Sequence, residues 1–271
     1  MEDKKVSVII PIHEYNNDMK EMVMKAVKSV PSEYFLYVIC GNSEISSDDL
    51  SFMLEEHQLG AIVSPNYGKK VAVVSSSFSS LVNYAFEELK GGDIEWSYIL
   101  EYDDEFNSLW FDEVKREHAD KPDVSVFMPL TEIIDFESGK FLSYGNEAPW
   151  ASSFSNEIGY IDNESLQQFF DFYLTGSIFN LRDWTYVGGL KESFKLTFWY
   201  EFLLRLTHND KKAYVIPKLG YKHYVNRPNS LHMNVAKEMD AEESQWWYNL
   251  ALEEYTYKKD RKKEYNKENN E

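Results

Sequence analysis

Residues 96–105 read Trp96-Ser97-Tyr98-Ile99-Leu100-Glu101-Tyr102-Asp103-Asp104-Glu105. Aromatic and aliphatic residues up to Leu100 predict a short buried strand. The chain then turns abruptly acidic. In an open parallel sheet, ligands sit beyond the carboxyl ends of the strands. An acidic run at such an end has two readings. It can be a solvated turn in an acidic protein, or it can gather a hard divalent cation such as Mn²⁺ or Mg²⁺, which takes oxygen ligands and neutralises a diphosphate.

Outward from this stretch, the pattern alternates between strands and helices. Val6-Ser7-Val8-Ile9-Ile10-Pro11 predicts a first buried strand. Met19, Met22, Val23, Ala26, Val27 and Val30 recur at helical spacing, with Asn16 or Asn17 as the expected cap and Pro31 as the stop. Phe35 to Cys40 predicts a second strand. A helix over Ser46 to Leu59 and a strand over Ala61 to Ser64 continue the alternation. Leu81, Val82, Ala85, Phe86 and Leu89 mark a further helix, closed by Gly91-Gly92. Strand-helix-strand repetition predicts a parallel sheet with right-handed crossovers. Val124 to Pro129 reads as another strand. Beyond it, Gly139 to Tyr160 reads as an aromatic loop, Glu164 to Phe172 and Phe198 to Thr207 as helices, and Tyr214 to Pro217 as a short strand.

The chain has 271 residues, 43% apolar and 16% aromatic, enough to bury a core and too apolar for a disordered segment. Its formal net charge of −18 argues against nucleic-acid backbones as partners. Cys40 is the single cysteine, so no intrachain disulfide forms. No apolar run is long enough for a membrane span, and a cytoplasmic location is expected. The organisation expected is one large domain over 1–235, with halves at about 1–130 and 131–235, followed by a charged helix and tail over 236–271.

These segments, in order, resemble family 2 glycosyltransferases. Val6 to Pro11 looks like that family's first strand, Ser79 to Leu89 with Asn83 like its helix before the acidic motif, and Leu100 to Asp104 like its Asp-x-Asp region with Glu in first place. Gly176 to Leu190 and Glu201 to Leu206 look like its acceptor-side segments. His223, followed by Arg227-Pro228-Asn229-Ser230, looks like its closing segment. The resemblance covers about residues 5–232. It implies an α/β fold of the GT-A type: a Rossmann-like α/β/α sandwich around a mainly parallel sheet.

The resemblance also implies a nucleotide-sugar donor and a divalent cation as cofactor. Glu101 would face the ribose, with Pro11, His13, Glu14, Asn42, Asn83 and Tyr102 around the nucleotide-sugar and Tyr67 within reach of the same pocket. Asp103, Asp104 and His223 would hold the ion. The family's Glu-Asp pair, whose Asp is the general base, falls on Phe198 and Trp199. Neither ring takes a proton. Glu201 is the nearest carboxylate and the expected catalytic base; it also lies four residues before Arg205, the spacing of a helix ion pair.

Trp150, Trp184 and Trp199 read either as core or as stacking platforms for sugar rings on the acceptor side. The lost Glu-Asp pair, and the uncharged Asn42 where acidic residues would hold a base, support an alternative: a degenerate fold acting as a binding or structural module. In that reading Trp246-Trp247-Tyr248 on the C-terminal helix docks a protein partner. The Lys, Asn, Glu and Tyr richness looks like transferase-like proteins of large tailed bacteriophages, which implies a host-cytoplasmic or virion setting. A glycan, a protein or a modified nucleic acid would then be the acceptor.

Overall fold

The computed structural model describes residues 5–13, 15–16, 19–41, 60–63, 77–194, 197–228, 230 and 241–253. The helix expected over 46–59, the loop holding Tyr67, and two of the expected site residues, Glu14 and Asn42, lie outside them.

The first half is built from strands whose side chains are apolar on both faces. β1 (Val6–Ile12) is buried along its whole length and pairs in parallel with β2 (Phe35–Cys40) on one side and β4 (Trp96–Ile99) on the other. β3 (Gly60–Val63) extends the sheet beyond β2, also in parallel. Successive residues of β1 point to opposite faces. Val8, Ile10 and Ile12 join a core with Val23, Ala26 and Val27 of helix α1 (Lys20–Lys28). Ile9 joins a second core with Leu81, Val82 and Ala85 of helix α2 (Phe78–Leu89). Helices therefore cover both sheet faces, which is why these strands read as largely apolar runs. α1 begins without a side-chain cap at Met19; the Asn16 backbone carbonyl accepts from Met19 N–H at 3.1 Å. Ser77 does cap α2, accepting from Ser80 N–H at 3.3 Å.

Past β4 the chain forms β5 (Glu105–Phe106), helix α3 (Trp110–Asp120), β6 (Val124–Asp135) and β7 (Phe141–Gly145). β8 (Tyr160–Ile161), helix α4 (Asn163–Leu166), β9 (Ile178–Asn180) and helix α5 (Leu181–Val187) follow. Helix α6 (Phe198–His208), β10 (Lys212–Val225) and helix α7 (Ala241–Leu252) complete the described elements. The sheet order is β3-β2-β1-β4-β9-β6-β10-β5, with β7 on β6 and β8 on β10. Within that path β9 and β5 run against their neighbours; the other path strands run one way, so the sheet is mostly parallel.

Four sequence expectations change. The aromatic loop over 139–160 contains β7 and β8. The helix expected over 164–172 ends at Leu166, and Phe169 and Phe172 turn inward onto Phe154 instead. The strand expected at Tyr214 to Pro217 is the start of a 14-residue strand, which crosses Pro217 and Gly220 through register shifts against β6. α3 was not anticipated, because only Trp110, Phe111 and Val114 face the core.

Gly176, just before β9, has φ +79, and a Cβ there would collide with the Tyr221 ring. Its carbonyl accepts from Trp110 Nε1–H at 3.0 Å. Gly176→Ala should therefore destabilise the fold by roughly 2–4 kcal/mol, from backbone strain plus overpacking. Urea unfolding measures this; a loss within about 0.5 kcal/mol, the range of a neutral surface change, would contradict it.

Candidate functional site

β1 neighbours β2 on one side and β4 on the other, so the crossovers leave β1 in opposite directions. A crevice opens beyond the carboxyl ends of strands at such a switch point. Pro11, His13, Glu101, Tyr102 and Asp103 all line a cleft of about 490 Å³ there.

The far wall of the cleft comes from the end of β10. β5 pairs antiparallel with β10, placing Phe106 opposite Tyr221 and Glu105 opposite Lys222. That short ladder brings the acidic turn alongside residues more than a hundred positions later. Asp104, fully buried, takes Tyr224 N–H on Oδ1 at 2.8 Å and faces His223 Nδ1 through Oδ2 at 2.8 Å. Asp103 accepts from Arg227 Nε–H at 2.6 Å, with both side chains only 9% exposed. Arg227 also donates from Nη2 to the Tyr102 hydroxyl at 2.7 Å, and its guanidinium carbon lies 5.4 Å from the centre of that ring. Glu101 N–H donates to the Tyr221 hydroxyl at 3.1 Å. At the outer rim, Glu105 accepts from the Tyr224 hydroxyl at 2.5 Å and pairs with Lys25 at 2.6 Å.

The charges in this cluster are strongly perturbed. Burial, and then the Asp104 charge, push the Glu101 carboxyl up to about 8, against the opposing pull of His223. Burial and Asp104 also raise Asp103, although Arg227 opposes them. Burial works to lower His223, but the charge and hydrogen bond of Asp104 overcome it and raise the imidazole to about 9. At neutral pH a mostly protonated Glu101 therefore sits beside a protonated His223.

Asp104 and His223 are in contact here, and Asp103 and His223 both line the cleft. Oxygen and imidazole donors are the right kind for Mn²⁺ or Mg²⁺. Their arrangement does not fit an ion. Asp103 is paired with Arg227, both Asp104 oxygens are engaged, and no three His, Cys, Asp or Glu side chains among the described residues converge in a metal-holding group.

The other expected residues divide. Trp199 lines the cleft with Phe198, Tyr200 and Tyr248, and its ring stacks at 5.8 Å on Phe179. Trp184 is core: it stacks at 4.1 Å on Phe86 and borders a separate cavity of about 440 Å³. Asn83 borders that second cavity too, and its amide is spent on the Leu190 backbone, donating to O and accepting from N–H, each at 2.8 Å. Neither Trp184 nor Asn83 lines the cleft. Trp150 is also remote, donating to the Val215 carbonyl at 3.0 Å.

Glu201 is not placed to act as a base. Its side chain is fully buried and receives Arg205 Nε–H and Nη2–H at 2.8 Å each, with Lys191 at 3.4 Å. Arg205 in turn donates to the Val187 and Gly189 carbonyls, closing the end of α5 onto α6. The i,i+4 spacing signalled this pair. Two cleft residues escaped the sequence reading of the site. In the sequence Arg227 stands out only as part of the closing segment, and Asp171 falls within the helix expected over 164–172. Asp171 lies in the cleft wall, exposed, with no hydrogen bond or ion pair among the described residues. After burial, its charge is the main factor raising the phenols of Tyr173 and Tyr248, so it sits beside both. Of the C-terminal aromatics, Trp247 packs on Phe194 and Tyr248 on Tyr200, leaving Trp246 54% exposed.

No protein-family model and no curated protein sequence matches this chain. Solved structures do match it. S. aureus TarS 1–349 superposes with a TM-score of 0.59 at 13% identity, over 81% of this chain and 60% of that one. The same protein in complex with UDP-GlcNAc gives 0.61 at 12% identity, over 84% and 60%. Its UDP complex gives 0.60 at 15% identity, over 93% and 70%. The chain spans about 60% of the length of the first of these structures. At this identity the likeness is one of fold: a mixed α/β fold of the GT-A type.

Breaking a buried ion pair from one side leaves the other charge uncompensated. Glu201→Gln should therefore cost roughly 3–5 kcal/mol of stability, read as a lowered urea midpoint. A variant as stable as the parent would show that the pair does not hold α5 to α6.

Proposed function

We propose that this chain is a nucleotide-sugar glycosyltransferase, binding a uridine-diphosphate sugar in the cleft beyond β1 and β4 and passing the sugar to an acceptor hydroxyl. The observation that carries this reading is the charged cluster of Glu101, Asp103, Asp104, His223 and Arg227 on the wall of that cleft. The fold shared with TarS, solved with UDP and with UDP-GlcNAc, supports the choice of donor class.

Pro11, His13 and Tyr102 form the nucleotide side. Phe198, Trp199 and Tyr248 form the acceptor side, where flat aromatic faces suit the apolar faces of sugar rings. Transfer is a single displacement with inversion. The acceptor oxygen bonds to the anomeric carbon as the bond from that carbon to the diphosphate oxygen breaks. The nucleoside diphosphate leaves with the electron pair. Asp171, an exposed carboxylate of the cleft wall with no hydrogen-bond or ion-pair partner among the described residues, takes the hydroxyl proton.

The loss of an acidic pair at Phe198 and Trp199 favours one other reading, a module that binds the donor without transferring it. Calorimetric titration with UDP, and turnover of UDP-sugars with saccharide acceptors, separate the two. We expect UDP to bind. Asp171→Asn should keep donor affinity within about threefold while slowing turnover by roughly 10²–10⁴-fold, the usual contribution of a general base. Binding without turnover in the parent protein would favour the module. Turnover that survives Asp171→Asn would remove Asp171 from the chemistry. Failure to bind any nucleoside diphosphate would end the transferase reading.

A further inference from the structure

The cleft raises a specific question of charge. A sugar nucleotide carries a diphosphate whose charge must be met by something when it enters a protein of net charge −18. A divalent ion is one answer, and the side chains that would hold it are already engaged. Asp103 is bonded to Arg227, and Asp104 is bonded to His223 and to Tyr224 N–H. Both Asp104 oxygens lie within 2.8 Å of those partners, with its side chain sealed from solvent. An ion entering here would have to break the Arg227 pair and then share a low-dielectric pocket with the displaced guanidinium.

Resting on the transferase reading above, we propose that Arg227 takes the place of a divalent cation, so that the donor diphosphate binds against its guanidinium without a metal ion.

Four features of Arg227 suit this role. It lines the cleft. It is held from two sides, by Asp103 and by the Tyr102 hydroxyl, and it lies against the Tyr102 ring, so little side-chain freedom remains to be lost on binding. Those two bonds use Nε–H and one Nη2–H. Among the described residues the rest of its five N–H donors have no partner, in the planar fork that matches phosphate oxygens. Its charge does not depend on pH over the working range. Asp103 becomes a positioning residue: it orients the guanidinium and offsets its burial, in place of ligating an ion. Tyr102 has the same task from the other side. Two protein features thus do what one mobile ion would do, with a geometry fixed before the donor arrives.

The test is calorimetric titration of the whole chain with UDP, once in EDTA and once with Mn²⁺, alongside a titration with Mn²⁺ alone. The expected result is a UDP affinity in EDTA within about threefold of that in Mn²⁺, and no heat of binding from Mn²⁺ alone. Arg227→Gln should weaken UDP in EDTA roughly 10- to 100-fold, the loss of charge-assisted hydrogen bonds. Tyr102→Phe, which keeps the ring and removes one anchor of the guanidinium, should weaken it by a smaller factor. If Arg227→Gln does not fold, the comparison of the parent protein in EDTA and in Mn²⁺ decides by itself. UDP binding that requires Mn²⁺ would overturn this proposal and leave the transferase reading intact. So would a folded Arg227→Gln that binds UDP as the parent does in EDTA. No UDP binding under either condition would overturn both.

Discussion

The site depends on a two-residue ladder. β5 lays Glu105 and Phe106 against Lys222 and Tyr221 of β10, and the charged cluster of the acidic turn follows from that registration. Carboxylates crowded at one strand end repel one another, and burial raises the cost. The ladder brings basic groups from the end of the long strand onto the acidic turn: His223 to Asp104 and Arg227 to Asp103. Remove that pairing and the turn would have to face water. With it, the turn can be half-buried and shaped. The apolar residues around the ladder hold it in register: Tyr98, Phe106, Phe111 and Tyr221 pack edge to face, and Gly220 leaves room for Trp110.

The same logic explains the acceptor half. Helix α6 points its first turn at the cleft with three aromatic rings and commits its carboxylate to the core. Glu201 and Arg205 spend their charges on each other and on the carbonyls that end α5. This fixes the angle between α5 and α6, and hence the wall carrying Phe198 and Trp199. A structural ion pair and a catalytic base make opposite demands on a carboxylate, since one must be saturated and the other free to accept a proton. Glu201 meets the first demand.

Much of this fold was legible in the sequence wherever burial is two-sided. β1, β2 and β4 are largely apolar runs because helices cover both faces, and α2 and α6 show a clean helical period. Legibility failed where long-range pairing overrode local pattern. β10 contains Pro217, Lys218 and Gly220, which interrupt any strand signal, yet its ladder with β6 carries it through by shifts of register. Residues 167–172 carry enough apolar side chains for a helix, but the inward packing of Phe169 and Phe172 wins. In the site, the acidic run and His223 were readable as a group. The partnership of Arg227 with Asp103 was not, because nothing local to either segment encodes a contact 124 residues apart.

The central claim is that the crevice between the end of β4 and the end of β10 receives a nucleoside diphosphate. A crystal structure of the protein grown with UDP tests it most directly. The account predicts diphosphate oxygens within hydrogen-bonding distance of Arg227, with the ribose toward Glu101 and Tyr102. UDP lodged in the smaller cavity beside Asn83 and Trp184, with the larger cleft empty, would contradict it.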